Sequence, residues 1–510
     1  MIRRTAYASI GLRTLNEYGG RQRVGIMKLE KLIRGLDTVS IKGGTDIEIT
    51  NLGYDSRKAG EGTLFFCLRG PRSDGHDYAA KAEEAGAAAI VMERPVTLVG
   101  ESAAILVKDV RETLSHIAAR FYGFPSGEMD IIGVTGTNGK TSTTYMTKSI
   151  LESWGKKVGL IGTITNLIGD TKIPGHNTTP EADELQKLFR DMADQDVSHV
   201  VMEVSSHSLA LKRVDDCRFA VGIFTNLTQD HLDFHGTMEA YKEAKARLFA
   251  MSDNAVINID DIAGRYYAET AAGRIITYGI VEDADILADE VFIDATGATF
   301  TMVFPNDTEV PIRLKTPGRF SVYNALAAGS ACYALGASPD VIQAGLNSVD
   351  PIHGRFEVIP TETDYTVILD YAHTPDGLEN ILKTAKTFVD GRLILLFGCG
   401  GDRDHEKRPI MGRIAGEYAD LCVVTSDNPR SEEPMAIIEQ ILPGLNTTEC
   451  PYKVIENRRD AIHYALTHAE KDDVIILAGK GHETYQELKD KTIHFDEKEI
   501  VAEILREEGL

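Results

Sequence analysis

Three observations predict an α/β protein of three domains. The chain has 510 residues, too many for one core; strand-like apolar runs alternate with helical text from about residue 129 to 350; and the same rhythm restarts at 351. The expected layout is a leader at 1–26, a mixed α/β N-terminal domain at 27–128, a central parallel-sheet domain at 129–350 and a C-terminal Rossmann-like domain at 351–510.

In the first domain, "DIEITNLGYDS", "GTLFFCLRG", "AAAIVME" and "AAILVKD" read as strands between Ala-rich helical stretches. A helix, "RETLSHIAARFYG", stops at Gly123 and Pro125, a natural boundary. In the second, "MDIIGVT", "KVGLIGT", "SHVVMEVSS" and "FAVGIFTNLT" alternate with helices such as "KTSTTYMTKSILESWG", as in a parallel sheet covered by helices. In the third, "YTVILDYAHT", "RLILLFGCGG", "DLCVVTSDN" and "DVIILAGKG" are four buried-type strands of a second doubly wound unit. No short-period repeat is present.

A formal charge of −23 argues against a nucleic-acid partner and against an anionic membrane surface, so anionic ligands must be caught by local sites. Six scattered cysteines without a C-x-x-C pair fit free thiols and a cytoplasmic location. No apolar run reaches the length of a membrane span. The leader holds five arginines and one acidic residue and lacks the apolar centre of a secretory signal, so it reads as a flexible segment outside the domains, with translation from Met27 or a transit peptide as the alternatives.

"IIGVTGTNGKTST" is a strand, a glycine-rich turn and a helix start, which makes the central domain a P-loop ATPase candidate. Its glycines let backbone N–H groups close on phosphate oxygens, with Lys140 on the terminal phosphates and the Thr141 hydroxyl toward magnesium. Val134 stands where the strict G-x-x-x-x-G-K-[ST] spacing wants its first glycine, which argues against ordinary switch GTPases. Glu203, at the end of an apolar strand, suits a magnesium-binding carboxylate; a capping or salt-bridged glutamate is the plainer alternative. Asp230, His231, Asp233 and His235 crowd one loop in a pattern that suits a divalent ion, though loop histidines often serve only structure. Lys245 lies on the apolar side of a helix, where an ion-paired surface lysine is the default.

Three strand exits in the last domain, "GCGGDRD", "SDNPR" and "GKGHE", are expected to converge, because ligands in open parallel sheets sit beyond the carboxyl ends of the strands. They offer Arg403, Asp427, Asn428, Pro429, Arg430, Gly479 and Glu483. Two guanidiniums with two carboxylates suit a zwitterion, and a second ligand carboxylate would need the second arginine. A solvated turn with an Asp427–Arg430 ion pair is the bland alternative.

The set "GVTGTNGKTS", "MEVSSH", "TNLTQDHLDFHG", "YKEAKARLF", "GRFSVYNALAA", "HGRFE", "DYAHTPDGLENIL" and "GKGHETYQ" resembles the Mur ligase family of ATP-dependent amide-forming enzymes, from about residue 27 to the C-terminus. The resemblance implies that Gly136, Thr137, Asn138, Gly139, Lys140, Thr141 and Ser142 wrap ATP, with Asn324, Arg355, Asp370 and His373 around the nucleotide. It implies two Mg2+ ions, one on Thr141 and Glu203, the other on His231 and a carbamylated Lys245. It assigns Asp55, Ser56, Arg57, Pro71, Arg72 and Ser73 to the uridine diphosphate end of an acceptor. Asn177, Thr178, Thr179, Ser205 and Arg213 would hold the rest of that acceptor, UDP-MurNAc-L-Ala-D-Glu. The D-N-P-R loop resembles the motif that goes with meso-diaminopimelate; L-lysine addition, or a folylpolyglutamate-synthase-like ligation, is the alternative. A switch or scaffold that hydrolyses ATP without making an amide is the rival from another class. The implied protein is a monomer acting on small molecules. Leu211 stands where relatives often carry a polar residue, and the leader has no counterpart in the family pattern.

Overall fold

The glycine-rich turn at 136–139 leaves a strand, Asp130–Thr135, that is buried at every position after its first. The computed structural model in which this is seen describes residues 25–70, 73–175, 177–305 and 307–510. Pro71, Arg72 and nearly all of the expected leader lie outside the described residues. The described chain packs as two compact units. One holds the residues through Glu128 with Pro180–Asp194 and Leu211–Cys217; the other holds Met129–Thr179, Gln195–Ala210 and Arg218–Leu510.

The first unit is built on a five-stranded sheet ordered Thr38–Lys42, Ala103–Val107, Ala89–Met92, Thr63–Phe66 and Asn51–Gly53, antiparallel only at its first pairing. Asp109 caps the helix Val110–Phe121 by accepting from the Glu112 N–H, and that helix buries Leu114, Ile117 and Phe121 against Leu64, Phe66 and Ile105. Ala182, from the helix Ala182–Ala193, joins the same core.

Among its described residues the second unit contains two large sheets and a two-stranded hairpin. In the first, Val158–Ile161, His199–Glu203, Asp130–Thr135, Phe219–Phe224, Ser252–Asn258 and Arg274–Gly279 run parallel in that order. The sequence rhythm predicts only parallel alternation here, but the sheet continues into an antiparallel ribbon of Ile286–Asp294, Gly297–Phe304 and Thr308–Leu314. Its alternating burial explains the difference. Phe300, Met302 and Phe304, with Val310, Ile312 and Leu314, face the core while residues between them face out, as a half-solvated antiparallel sheet requires.

The other sheet is ordered Glu357–Ile359, Thr366–Asp370, Val474–Ala478, Leu393–Phe397, Leu421–Val424 and Tyr452–Val454, parallel after its first pairing. Both faces are covered. Ile368, Leu395, Phe397 and Ile476 pack with the helices Pro375–Lys386, Lys407–Tyr418 and Pro434–Leu445; Val367, Leu369, Ile394 and Leu477 pack with Arg458–Thr467 and Glu497–Glu508. Continuous apolar strand text follows from burial on both sides, each such Leu or Ile contributing about 1.5–3 kcal/mol. Among the described residues no helix is long and apolar enough to cross a membrane, and the six cysteines are unbridged.

Candidate active site

Gly136 and Gly139 take φ of +154° and +84° as the chain turns from the strand into the helix Lys140–Ser153. A Cβ on Gly136 would stand 1.8 Å from Thr225 Oγ1, and one on Gly139 2.4 Å from Asn324 Oδ1, so only glycine fits at either position. Asn226 braces the loop from behind, accepting from the Thr137 N–H on its carbonyl at 2.9 Å and from the Asn138 N–H on Oδ1 at 2.8 Å. Lys140 Nζ folds onto the carbonyls of Gly136 and Thr137 at 2.9 and 2.8 Å. Burial lowers its pKa, against the pull of Glu203 and Asp230.

Parallel pairing of His199–Glu203 beside the phosphate-loop strand sets Glu203 opposite Val134 and so next to the loop. The Thr141 hydroxyl donates to Glu203 Oε1 at 3.0 Å and accepts from Arg355 Nη2 at 2.9 Å. Thr163, which no sequence motif marks, gives its N–H to Oε1 at 2.9 Å and its hydroxyl to Oε2 at 3.0 Å. Glu203 is 1% exposed. Among the described residues no three His, Cys, Asp or Glu side chains gather into a metal cage. Magnesium needs none, since it takes one or two carboxylates and completes its shell with phosphate oxygens and water. A buried carboxylate flanked by two threonine hydroxyls at the lip of a phosphate loop fits that ion.

Lys245 is 1% exposed, and its Nζ lies 4.3 Å from the centroid of the Tyr241 ring. Burial, reinforced by the charge of Lys140, drives its pKa well below the ordinary lysine value. The neutral amine is the form that adds CO2, and burial favours that form, so the residue fits a carbamate. Burial likewise pushes His231 down to about 3 and keeps its imidazole neutral, the state in which it can bind a metal. Burial opposes ionisation of the adjacent Asp230, but the charge of Lys407, 3.4 Å away, holds it well below the usual carboxylate range. His235 packs against the same Tyr241 ring, centroids 5.0 Å apart, with its Nε2 at 2.9 Å from Ser206 Oγ.

One cavity of about 450 Å³ is lined by the whole loop from Gly136 to Ser142 and by Glu203, His231, Lys245, Asn324, Arg355, Asp370 and His373, with Thr178 and Ser205 at its wall. Asp370 accepts the N–H groups of Phe356 and Ala372, both at 2.7 Å, which fixes the turn that carries Arg355. His373 Nδ1 donates to the Tyr371 carbonyl at 2.8 Å. The Thr179 hydroxyl donates to the Glu203 carbonyl at 2.9 Å and is positioned as a brace; Asn177 is exposed.

The three strand exits of the last sheet do converge. Asn428 Nδ2 donates to Glu483 Oε2 at 2.8 Å, and its Oδ1 accepts from Lys480 Nζ at 3.2 Å and from the Glu487 N–H at 2.9 Å. Lys480, absent from the expected set, is fully buried and reaches Glu483 Oε2 at 3.0 Å. Burial raises the Glu483 pKa, opposed by Lys480. Asp427 accepts the Asn428 N–H at 2.7 Å on Oδ1, while its Oδ2 is buried with no hydrogen-bond partner. Gly479, at φ +113°, passes so close that a Cβ there would stand 2.6 Å from that oxygen. Arg430 does not pair with Asp427. Its Nε lies 2.8 Å from Glu487 Oε2, and Nη1 donates to the Gly401 carbonyl at 2.9 Å. Arg403 is exposed, with Nη1 on the Asp402 carbonyl at 2.9 Å.

Family models match three successive stretches: "Mur ligase family, catalytic domain" at 48–122, "Mur ligase middle domain" at 134–332 and "Mur ligase, glutamate ligase domain" at 354–481. The chain belongs to the Mur ligase family. It is 51% identical over 483 residues to the UDP-N-acetylmuramoyl-L-alanyl-D-glutamate–2,6-diaminopimelate ligase 1 of Clostridium acetobutylicum, a match covering 94% of this chain and 100% of the relative. It is also 51% identical over 482 residues to the corresponding ligase of Caldanaerobacter subterraneus subsp. tengcongensis, covering 94% and 99%. A solved structure of a UDP-N-acetylmuramoyl-L-alanyl-D-glutamate–2,6-diaminopimelate ligase is similar with a TM-score of 0.65 and 30% identity, over 95% of this chain and 99% of that one.

In this Mur ligase, the remaining expected acceptor residues fall in the first unit or outside the described chain. Ser56 is buried, and Asp55 and Arg57 form an ion pair of 2.8 Å beside it. Ser73 is exposed, and Arg213 pairs with Glu181. Thr163, Lys407 and Glu487 escape sequence reasoning because each has its partner far along the chain and none sits in a recognisable local pattern. Lys480 lies inside the "GKGHE" exit, but its contact with Asn428, 52 positions away, is a tertiary one that the motif does not announce.

Proposed function

We propose that this chain forms an amide between the D-glutamate side-chain carboxylate of UDP-MurNAc-L-Ala-D-Glu and an amine of meso-2,6-diaminopimelate, consuming ATP, in peptidoglycan precursor synthesis. Similarity at 51% identity along the full length of relatives bearing that name carries the proposal. The chemistry is a two-step ligation. A carboxylate oxygen attacks the γ-phosphorus of ATP, ADP leaves, and an acyl phosphate forms. The amine nitrogen then attacks the acyl carbon, phosphate leaves, and the nitrogen sheds its proton.

The residues take the following parts. The backbone from Gly136 to Ser142 holds the phosphates, Lys140 and Arg355 face their charge, and Asn324, Asp370 and His373 shape the nucleoside side of the cavity. Thr141 and Glu203 would hold one magnesium ion, and His231 with a carbamate on Lys245 a second. Bound there, the ions would neutralise charge on the phosphates. Ser56, Pro71, Arg72, Ser73 and Arg213 are assigned to the nucleotide-sugar acceptor, with Asn177, Thr178, Thr179 and Ser205. Arg403, Asp427, Asn428, Pro429, Arg430, Gly479 and Glu483 are assigned to the amino acid, with Arg430 on its distal carboxylate. A cytoplasmic monomer with small-molecule substrates alone is the matching biology; the net charge of −23 speaks against nucleic-acid and anionic-membrane partners.

The test is phosphate release by the purified protein, with each substrate omitted in turn, and mass analysis of the product. Release that requires both the acceptor and the amino acid, with a product heavier by one diaminopimelate residue, is expected. Release that ignores the acceptor would leave only the ATP-hydrolysing switch.

A further inference from the structure

The carboxylate on Arg430 belongs to the protein itself. Glu487 sits on a short hairpin of Tyr485–Glu487 and Thr492–His494, and its backbone is pinned on both sides. Its N–H donates to Asn428 Oδ1 at 2.9 Å, and its carbonyl accepts the Arg430 N–H at 3.1 Å. The backbone thus aims the Glu487 side chain at the guanidinium, and Oε2 meets Nε at 2.8 Å. Arg430 is itself held at φ +52°, an unusual conformation for a non-glycine residue.

A guanidinium offers a carboxylate two forked edges, Nε with Nη2 and Nη1 with Nη2. On Arg430 the first edge carries Glu487, and the second has Nη1 on the carbonyl of buried Gly401. A ligand carboxylate that takes the Nε–Nη2 edge displaces Glu487, and one that takes the Nη1–Nη2 edge must share Nη1 with the Gly401 carbonyl. Removing a buried backbone carbonyl leaves that group unsatisfied, a heavy cost. The Glu487 side chain is 39% exposed and can turn into water. It is the cheaper group to move.

We propose that Glu487 is a stand-in carboxylate, displaced from Arg430 by the distal carboxylate of the incoming amino acid, and that it sets the affinity and selectivity of this subsite. The proposal rests on the reading that Arg430 receives that carboxylate. It has a consequence for substrate choice. With L-lysine in the pocket Glu487 stays on Arg430, so no guanidinium is stranded, and discrimination against lysine is softened. With diaminopimelate the same contact must be broken before the new one forms.

The experiment measures KM for meso-diaminopimelate, L-lysine and ATP in the wild type, Glu487→Gln, Arg430→Ala and the double variant, at saturating acceptor. A half-exposed ion pair is worth about a two- to fivefold factor. Glu487→Gln is therefore expected to lower KM for diaminopimelate about two- to fivefold, leave KM for ATP alone and raise the preference over lysine. The double variant should match Arg430→Ala, because the glutamate acts only through that arginine. A KM for diaminopimelate that rises or stays put in Glu487→Gln, while Arg430→Ala impairs that substrate selectively, would mean that Glu487 merely orients Arg430 and would overturn the proposal. If Arg430→Ala has no selective effect, the reading beneath the proposal fails and the proposal with it.

Discussion

Thr141 Oγ1 and Glu203 Oε1 lie 3.0 Å apart, a hydrogen bond between the first turn of the phosphate-loop helix and the end of the neighbouring parallel strand. Residues 62 positions apart are brought together by register alone, since Glu203 stands opposite Val134. Replacing Glu203 by Gln keeps the shape and removes the charge that a magnesium ion held there would need. Glu203→Gln is expected to lower kcat/KM for ATP about 10²-fold or more while leaving the melting temperature near that of the wild type. Phosphate release against a magnesium titration checks this, and near-normal activity at low magnesium would contradict it.

The close approach of Gly136 to Thr225 gives a second prediction. A methyl group 1.8 Å from Thr225 Oγ1, on a residue at φ +154°, forces the loop to move. Gly136→Ala is expected to cost about 1–3 kcal/mol of local stability and to weaken ATP binding, because the N–H groups lose their common direction. Nucleotide titration with thermal unfolding measures both. Unaltered binding would show that the loop tolerates the shift.

Lys245 gives the third. It is buried with its charge disfavoured, and the carbamate would supply the carboxylate that the free amine lacks. Lys245→Ala should lose most activity, and formate or acetate in the buffer should restore part of it. Activity that survives the substitution undiminished would remove the carbamate from the account.

Much of this was legible in the chain. The "GVTGTNGKTS" turn announces its strand and helix because glycines and a basic residue in that order have local consequences. The four apolar strands of the last domain announce a parallel sheet by being apolar on both faces. The ribbon of Ile286–Asp294, Gly297–Phe304 and Thr308–Leu314 did not stand out, since its alternation breaks the helix–strand rhythm around it. Nor does anything local in Pro180–Asp194 or Leu211–Cys217 say that these segments pack with the first unit. Partners such as Thr163 for Glu203 and Glu487 for Arg430 are products of tertiary register, which single-sequence patterns do not carry.

Asp183 offers a test of pH dependence in the first unit. It is buried, its Oδ1 lacks a hydrogen-bond partner, and burial pushes its pKa up to about 7 from an ordinary 3.8. Between those values the folded form holds a proton that the unfolded form has lost, so its contribution to stability falls as pH rises from about 4 to 7. Asp183→Asn should therefore raise the melting temperature more at pH 8 than at pH 5. Equal shifts at both pH values would mean that the carboxyl is ionised throughout.

The most direct test of the central claim is the ratio of kcat/KM for meso-diaminopimelate to that for L-lysine, measured in the wild type and in Arg430→Ala. If Arg430 takes the distal carboxylate, its loss removes one partner of a largely buried charge pair, worth about 2–5 kcal/mol. Arg430 keeps 23% of its side chain exposed, which places the effect toward the lower end. The ratio is expected to fall about 30-fold or more, with KM for ATP nearly unchanged and with little rescue by Arg430→Lys, whose ammonium lacks the fork. A ratio that stays at its wild-type value while both amino acids suffer alike would contradict the account and leave Arg430 a brace for its own loop.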